Sequence, residues 1–273
     1  MEQQTRRRRS AQKRKKEKRA SGLLRVLLLL TVLFGGYLLF ALLDKLPSDT
    51  PEPNPFTASD FSTRDGYLTC TAAYTRRGLD VSEYQEDIDW QQVRAAGFDF
   101  AFIRIGYRGY TTGNIYEDDR ARANLAGAKA AGLEVGVYFY AQAVSPEEAE
   151  AEAQWCLDYL SGEELDLPVV YDWEFIGGGS RTADMDKATL TECAKTFCAA
   201  VESAGYESMI YFNAHVGTDL LDLNQLRDHP WWLAQYKPAP DFPHRVDFWQ
   251  YTDQGTIPGI KGNVDIDLMF IYE

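Results

Sequence analysis

Histidine is scarce in this 273-residue chain: His215, His229 and His244 are its only three, and they show no ligand spacing. Cysteine is almost as rare, with Cys70, Cys156, Cys193 and Cys198 and no Cys-x-x-Cys pair. A zinc site has little to be built from, and no metal or other cofactor is expected. The four cysteines allow three full pairings, which spacing alone does not rank. Cys193 and Cys198 fall on divergent faces of one expected helix, so buried free thiols are the expectation. Positive charge is scarce beyond the start of the chain. Residues 1–25 carry 11 Lys/Arg against 2 Asp/Glu, whereas the remainder carries 17 against 39. So acidic a body is a poor partner for nucleic acid or for an anionic membrane surface.

The basic head is explained by its apolar neighbour. Residues 1–22 read as a basic cytoplasmic tail, and residues 23–43 are apolar apart from Arg25 and Thr31. A helix of that length spans about 30 Å, enough to cross a hydrocarbon core. Arg25 lies near its start, where it can reach the interface. Positive charge before the span and acid after it put the N-terminus in the cytoplasm and the body outside the cell membrane. A cleaved signal peptide is the competing reading; its apolar core would be shorter, and no small-x-small cleavage site comes after Leu43. Residues 44–60 are Pro-rich and polar, a stiffened tether, and residues 61–77 form a lead-in able to pack on the domain edge. Together 44–77 separate the expected single-pass anchor from a body over 78–273.

From Gly78 onward strands and helices alternate. Strands are expected over 79–84, 100–106, 134–141, 167–175 and 209–213, with helices over 89–96, 118–131, 146–160 and 187–204. Gly97, Gly132 and Gly205 each follow a small-residue pair and supply a left-handed helix stop. The last third changes character, with strands over 231–236, 246–251 and 264–270 and little helix between them. Such alternation argues for a parallel sheet with helices outside. We expect an irregular TIM-like (β/α)5(β)3 barrel, with a doubly wound open sheet as the alternative.

The apolar run Leu167-Pro168-Val169-Val170-Tyr171 ends in Asp172-Trp173-Glu174, before Gly177-Gly178-Gly179. Side chains alternate along a strand, so Asp172 and Glu174 share a face and one of them should titrate high. One protonated and one charged carboxyl is what glycoside cleavage requires. The competing reading is a solvated strand end with two surface acids. Parity elsewhere favours a built site: Asp80 with Ser82, Arg104 with Gly106, Gly136 with Tyr138 and Tyr140, Trp232 with Ala234 and Tyr236, and Asp265 with Asp267. If these faces turn inward, acids and aromatic rings meet at the C-terminal rim, where parallel barrels carry their chemistry. Rings suit the apolar faces of a pyranose, although each one taken singly is as well explained by core packing.

With these motifs the chain resembles glycoside hydrolase family 25, the Chalaropsis-type lysozymes, over about residues 78–273. The resemblance rests on Gly78-Leu79-Asp80-Val81-Ser82 with Gln85, on Ile88-Asp89-Trp90, and on Asp172-Trp173-Glu174. Trp232-Leu233-Ala234-Gln235-Tyr236, Trp249-Gln250-Tyr251 and Val264-Asp265-Ile266-Asp267 complete it. It implies a muramidase that cuts the β-1,4 bond between N-acetylmuramic acid and N-acetylglucosamine in peptidoglycan; a monomer is expected. It also implies a catalytic set of Glu174, Asp172, Asp80 and Asp265; the inward faces add Tyr138, Tyr140, Trp232, Tyr236 and Asp267 as expected substrate contacts. The family motif commonly ends in Asn where this chain has Asp267. Glu174 is expected to be the general acid, raised by Asp172. Two acids two residues apart share one wall, so a substrate-assisted route fits better than a protein nucleophile; an inverting route through water stays open. A catalytically inactive peptidoglycan-binding module on the same tether and a metal-dependent hydrolase are the rival classes.

Overall fold

The computed structural model describes Thr31, residues 34–36 and residues 50–272, and the chain divides into compact units at residues 1–49 and 50–273. The expected tail and nearly all of the expected span lie outside the described residues. Among the described residues no helix is long and apolar enough to cross a membrane.

The second unit opens with the hairpin β1 (Phe61–Arg64) and β2 (Tyr67–Cys70), turned at Asp65-Gly66 with both residues at positive φ. Nine further strands come after it among the described residues. They are β3 (Tyr74–Val81), β4 (Phe100–Arg108), β5 (Ile115–Glu117), β6 (Glu134–Ala141), β7 (Val169–Trp173), β8 (Ser208–Asn213), β9 (Trp231–Ala234), β10 (Phe248–Gly255) and β11 (Val264–Ile271). They are ordered β3-β11-β10-β9-β8-β7-β6-β4-β5, and β3 also pairs with β4. That pairing closes eight strands into a barrel, with β5 a side branch on β4. The open-sheet alternative is thereby excluded. All barrel neighbours run parallel except β11, which is antiparallel to both β10 and β3.

Four α-helices of this unit lie outside: α1 (Trp90–Ala95), α2 (Ala121–Ala130), α3 (Pro146–Leu160) and α4 (Lys187–Ser203). Their starts are written locally. Asp89, Ser145 and Asp186 accept hydrogen bonds from the backbones of Gln92, Glu148 and Thr189, satisfying first-turn donors. Gly97, Gly132 and Gly205 take positive φ just past three of the helices, as their sequence context predicts. The fifth helix of the expected pattern is reduced to one π-turn, Val216–Leu220, after β8.

The core has two layers. Between strands and helices lie Val93, Leu125, Val137, Trp173 and Phe197; inside the barrel lie Phe100, Phe102, Val170, Met209, Trp232, Phe248 and Met269. Two inward glycines make room for this plug. A Cβ on Gly78 would sit 2.1 Å from the Phe100 ring, and one on Gly136 2.4 Å from Phe102. The inner layer fills the lower barrel, so polar side chains are left to its upper end.

Two strand ends and one bulge change what the expected faces present. β7 stops at Trp173, so Glu174 is the first residue beyond it. β9 stops at Ala234, leaving Tyr236 on the following loop. In β4 a bulge at Ile105 pairs Arg104 with Tyr138 but Gly106 with Phe139. An extra residue reverses strand parity. Gly106 therefore does not share the inward face of Arg104; it faces α3, where a Cβ would meet Trp155 at 2.5 Å.

The stretch expected as tether is partly built into the body. Pro53 bridges to His244, and the Asn54 side chain donates to the carbonyls of Pro240 and Phe242, both at 3.0 Å. Glu52 pairs with Arg245, and Phe56 stacks on Phe270 at 4.7 Å. Proline and polar composition hid this strap because the contacts that seat it on the body are to residues remote in the sequence. Phe56→Ala should lower unfolding free energy by about 1–2 kcal/mol, less than full burial of such a ring is worth. Urea unfolding followed by tryptophan fluorescence measures it, and an unchanged midpoint would mean that the strap contributes nothing.

Candidate active site

The upper end of the barrel holds a cleft of about 210 Å³ lined by Asp80, Ser82, Tyr84, Gln85, Arg104, Tyr138, Tyr140, Asp172, Glu174, Tyr211, Trp232, Tyr236, Gln250 and Asp265. A wider groove of about 820 Å³ runs outside the barrel past Asp87, Trp90, Gly127 and Gly259, but holds none of the expected catalytic acids.

Strand register explains how distant residues meet. Asp80 near the end of β3 lies opposite Asp265 at the start of β11, because β11 runs antiparallel. Asp172 near the end of β7 lies beside Tyr140 on one flank and Tyr211 on the other. Of the sequence-predicted set, Asp80, Asp172, Glu174, Asp265, Tyr138, Tyr140, Trp232 and Tyr236 all line the cleft. Asp267 does not. It is fully buried one step below, where its Oδ1 accepts the Trp232 indole N–H at 2.9 Å. Its place is under the floor, where it supports a ring that lines the cleft instead of lining the cleft itself.

Several lining residues escaped the sequence reading. Gln250 accepts from the hydroxyls of Tyr211 (3.1 Å) and Tyr236 (2.9 Å), and its amide donates to Asp80 at 2.7 Å. It was legible only as part of a motif; its parity with the buried Phe248 is the signal that points inward. Tyr211 carries the same signal relative to Met209. Arg104 donates to Asp118 at 2.8 Å and to Glu83 at 3.0 Å, and lies 5.1 Å from the Tyr84 ring centroid and 5.2 Å from that of Tyr107. Asp118 also accepts the Glu83 backbone N–H at 3.0 Å, which pins the loop that presents Tyr84.

Burial dominates the electrostatics. It raises the carboxyls of Asp80, Asp172, Glu174 and Asp267 above the ordinary range, and takes Asp265 up to about 6. Asp265 and Asp267 push Asp80 further up by charge, against the Gln250 hydrogen bond. Asp172 is raised by burial first and by the Glu174 charge second, with Arg104 opposing. For Glu174 burial is the cause, and its charge in turn raises the neighbouring Asp172. Asp172 is almost wholly enclosed, whereas Glu174 is half-buried at the rim. The two adjacent carboxyls titrate as a pair rather than singly. Asp172 Oδ1 is buried with no hydrogen-bond partner.

Comparison with known proteins places this geometry. The model of the glycosyl hydrolases family 25 matches residues 79–260. An autolytic lysozyme of Clostridium acetobutylicum is 29% identical over 194 residues, 70% of this chain and 55% of that one. The chain thus spans about half the length of that relative. A protein of Escherichia coli K12, YegX, is 31% identical over 207 residues, 72% of this chain and 70% of its own. Among solved structures, the bacterial lysozyme of Streptomyces coelicolor aligns with TM-score 0.55 and 27% identity, covering 70% of this chain and 90% of that one. The family 25 glycosyl hydrolase of Bacillus anthracis shares the fold, with TM-score 0.61 at 21% identity over 78% of this chain and 94% of that one.

The extra acid below the floor has a thermodynamic signature. A carboxyl raised in the folded state holds its proton above the pH at which the unfolded chain releases it, so stability falls as pH rises from the ordinary value of 3.8 toward the folded one. Asp267→Asn keeps an acceptor for Trp232 and removes that loss. Its melting temperature should exceed that of the parent at pH 7 and converge with it near pH 4; equal melting curves at both pH values would refute the buried-acid account. With the acids of three strands gathered at one rim of an eight-stranded barrel, and a family model covering most of that barrel, the chain belongs to glycosyl hydrolase family 25.

Proposed function

We propose that this chain is a muramidase, a lysozyme hydrolysing the β-1,4 bond between N-acetylmuramic acid and N-acetylglucosamine in peptidoglycan. The observation that carries the reading is the acid pair: a rim carboxyl raised by burial, beside a deeper carboxyl whose Oδ1 is buried without a partner. Glu174 donates its proton to the leaving glycosidic oxygen as the C1–O bond breaks. The 2-acetamido oxygen of the same sugar closes on C1, and Asp172 accepts the acetamido N–H through that open oxygen and stabilises the positive oxazolinium. Water then attacks C1, reopens the ring and returns a proton to Glu174, with net retention. Asp80, held by Gln250, and Asp265 tune the field. Tyr138, Tyr140, Trp232 and Tyr236 offer ring faces and hydroxyls to the sugar.

The proposal includes a place of action. Residues 23–43 cross the cell membrane once, with the N-terminus cytoplasmic and the body outside, so that the enzyme remodels wall close to the bilayer. The basic head and the long apolar run support this. Protease added to intact protoplasts should remove the body; full protection would refute the orientation.

The chemistry is tested on purified peptidoglycan. Glu174→Gln keeps size but removes the transferable proton, and turnover should fall by at least about a hundredfold. Asp172→Asn should also slow the reaction, with a distinct pH signature. In the parent, losing the last proton of the pair leaves two adjacent negative charges, which raises that pKa; with Asn in place the repulsion is gone, so the alkaline limb moves to lower pH. An unmoved limb would mean that the two acids do not share a proton. Substrate whose reacting sugar lacks its N-acetyl group should be cut poorly by the parent enzyme, and normal cleavage would eliminate the assisted route.

A further inference from the structure

Glu174 has an unusual backbone position for a residue whose carboxyl must be placed to a fraction of an ångström. It lies just past the end of β7, where Trp173 pairs with Ala141 of β6, and the glycines 177–179 come shortly after it. Gly177 and Gly179 both take positive φ, and a Cβ on Gly178 or Gly179 would meet nothing within 4 Å. So loose a segment does not fix its own first residue.

One side chain bridges the gap. Gln142, the first residue past β6, is fully buried, and its Nε2 donates to the Glu174 carbonyl at 3.1 Å. Its Oε1 accepts from the hydroxyl of Thr182 at 2.8 Å, and Thr182 is fully buried at the far side of the same glycine loop. The amide thus ties both ends of that loop together where the strand ladder has stopped.

Gln142 is itself fixed from two sides. Its backbone N–H donates to Glu152 Oε1 at 3.1 Å, the oxygen that also takes Arg108 Nε at 2.6 Å. Its carbonyl accepts from Arg181 at 3.0 Å, and Arg181 grips both carboxylate oxygens of Glu148 at 2.7 Å. Every polar group of Gln142 is used. Nothing in the chemistry of the cleft requires these bonds, since none of the partners of Gln142 other than Glu174 lines it.

We propose that Gln142 is a positioning residue for Glu174, holding the acid at the leaving oxygen through its backbone carbonyl. The inference rests on Glu174 being the acid. Gln142→Leu keeps the volume and removes both amide bonds, freeing Glu174 to move and to hydrate. In the full chain, kcat on soluble glycan released from peptidoglycan should fall roughly tenfold to a hundredfold, the scale of a 1 Å misplacement, with KM changed less than about twofold. The alkaline limb of kcat should move to lower pH, because a better hydrated carboxyl gives up its proton more easily. In a Glu174→Gln background the same change should add no further loss, since the group it positions no longer donates. An equal loss in both backgrounds with the limb unmoved, or parental activity for Gln142→Leu, overturns the proposal. Should Gln142→Leu not fold, Thr182→Val frees only the amide's far end and should give a smaller fall in kcat with a limb shift of the same sign; unchanged kcat there overturns it equally. Parental activity for Glu174→Gln is a different failure, which removes the acid assignment and the proposal with it.

Discussion

Trp232 is held from below by Asp267 and from the side by the Phe102 ring stacked at 4.7 Å, and these contacts set the height of the cleft floor. Below that level the barrel is closed by Phe100, Phe248 and Met269; above it the inward positions are acids, an arginine and tyrosines. An indole with its N–H bonded to a buried carboxyl oxygen is more rigid than one held by packing alone. The acids stand on that platform, and their separation from water depends on it.

Keeping several carboxyls together in so small a volume sets a second constraint. Burial penalises each charge, and each charge penalises its neighbours, so the cluster is stable only when it holds protons or donors. Gln250 supplies a donor to Asp80, Trp232 supplies one to Asp267, and Arg104 offsets the charge near Asp172. Arg104 is in turn anchored by Asp118 and Glu83, which prevents it from swinging over to neutralise the pair outright. The cleft remains short of compensation, and the remaining demand falls on Asp172, whose open oxygen faces no protein donor.

Much of this was legible in the sequence. Helix starts and stops are local chemistry, so Asp89, Ser145 and Asp186 with Gly97, Gly132 and Gly205 located the helices well. Strand parity brought Asp80, Asp172, Asp265, Tyr138, Tyr140 and Trp232 to one rim. Parity fails where count is broken, and the bulge at Ile105 turned Gly106 the other way. It also fails where a strand ends early, as at Trp173 and Ala234, since a loop residue owes its direction to what it bonds. Asp265 and Asp267 were indistinguishable as a motif; only depth in the barrel separates a lining acid from a supporting one. The strap at Asn54 and the buried Gln142 depend on partners remote in sequence, which no local pattern reveals.

The antiparallel course of β11 has a consequence for how such domains can be cut and recombined. The family match runs over residues 79–260, beginning inside β3 and ending before β11 starts at Val264. A segment exchanged between relatives at those limits would leave behind the strand that closes the barrel and the acid facing Asp80. It would also leave the hairpin of β1 and β2, whose Phe61 meets Trp249 edge-on at 5.2 Å, and the strap at Pro53. The heritable module therefore has to be the whole stretch from the strap to the C-terminal strand, with both of its ends travelling together.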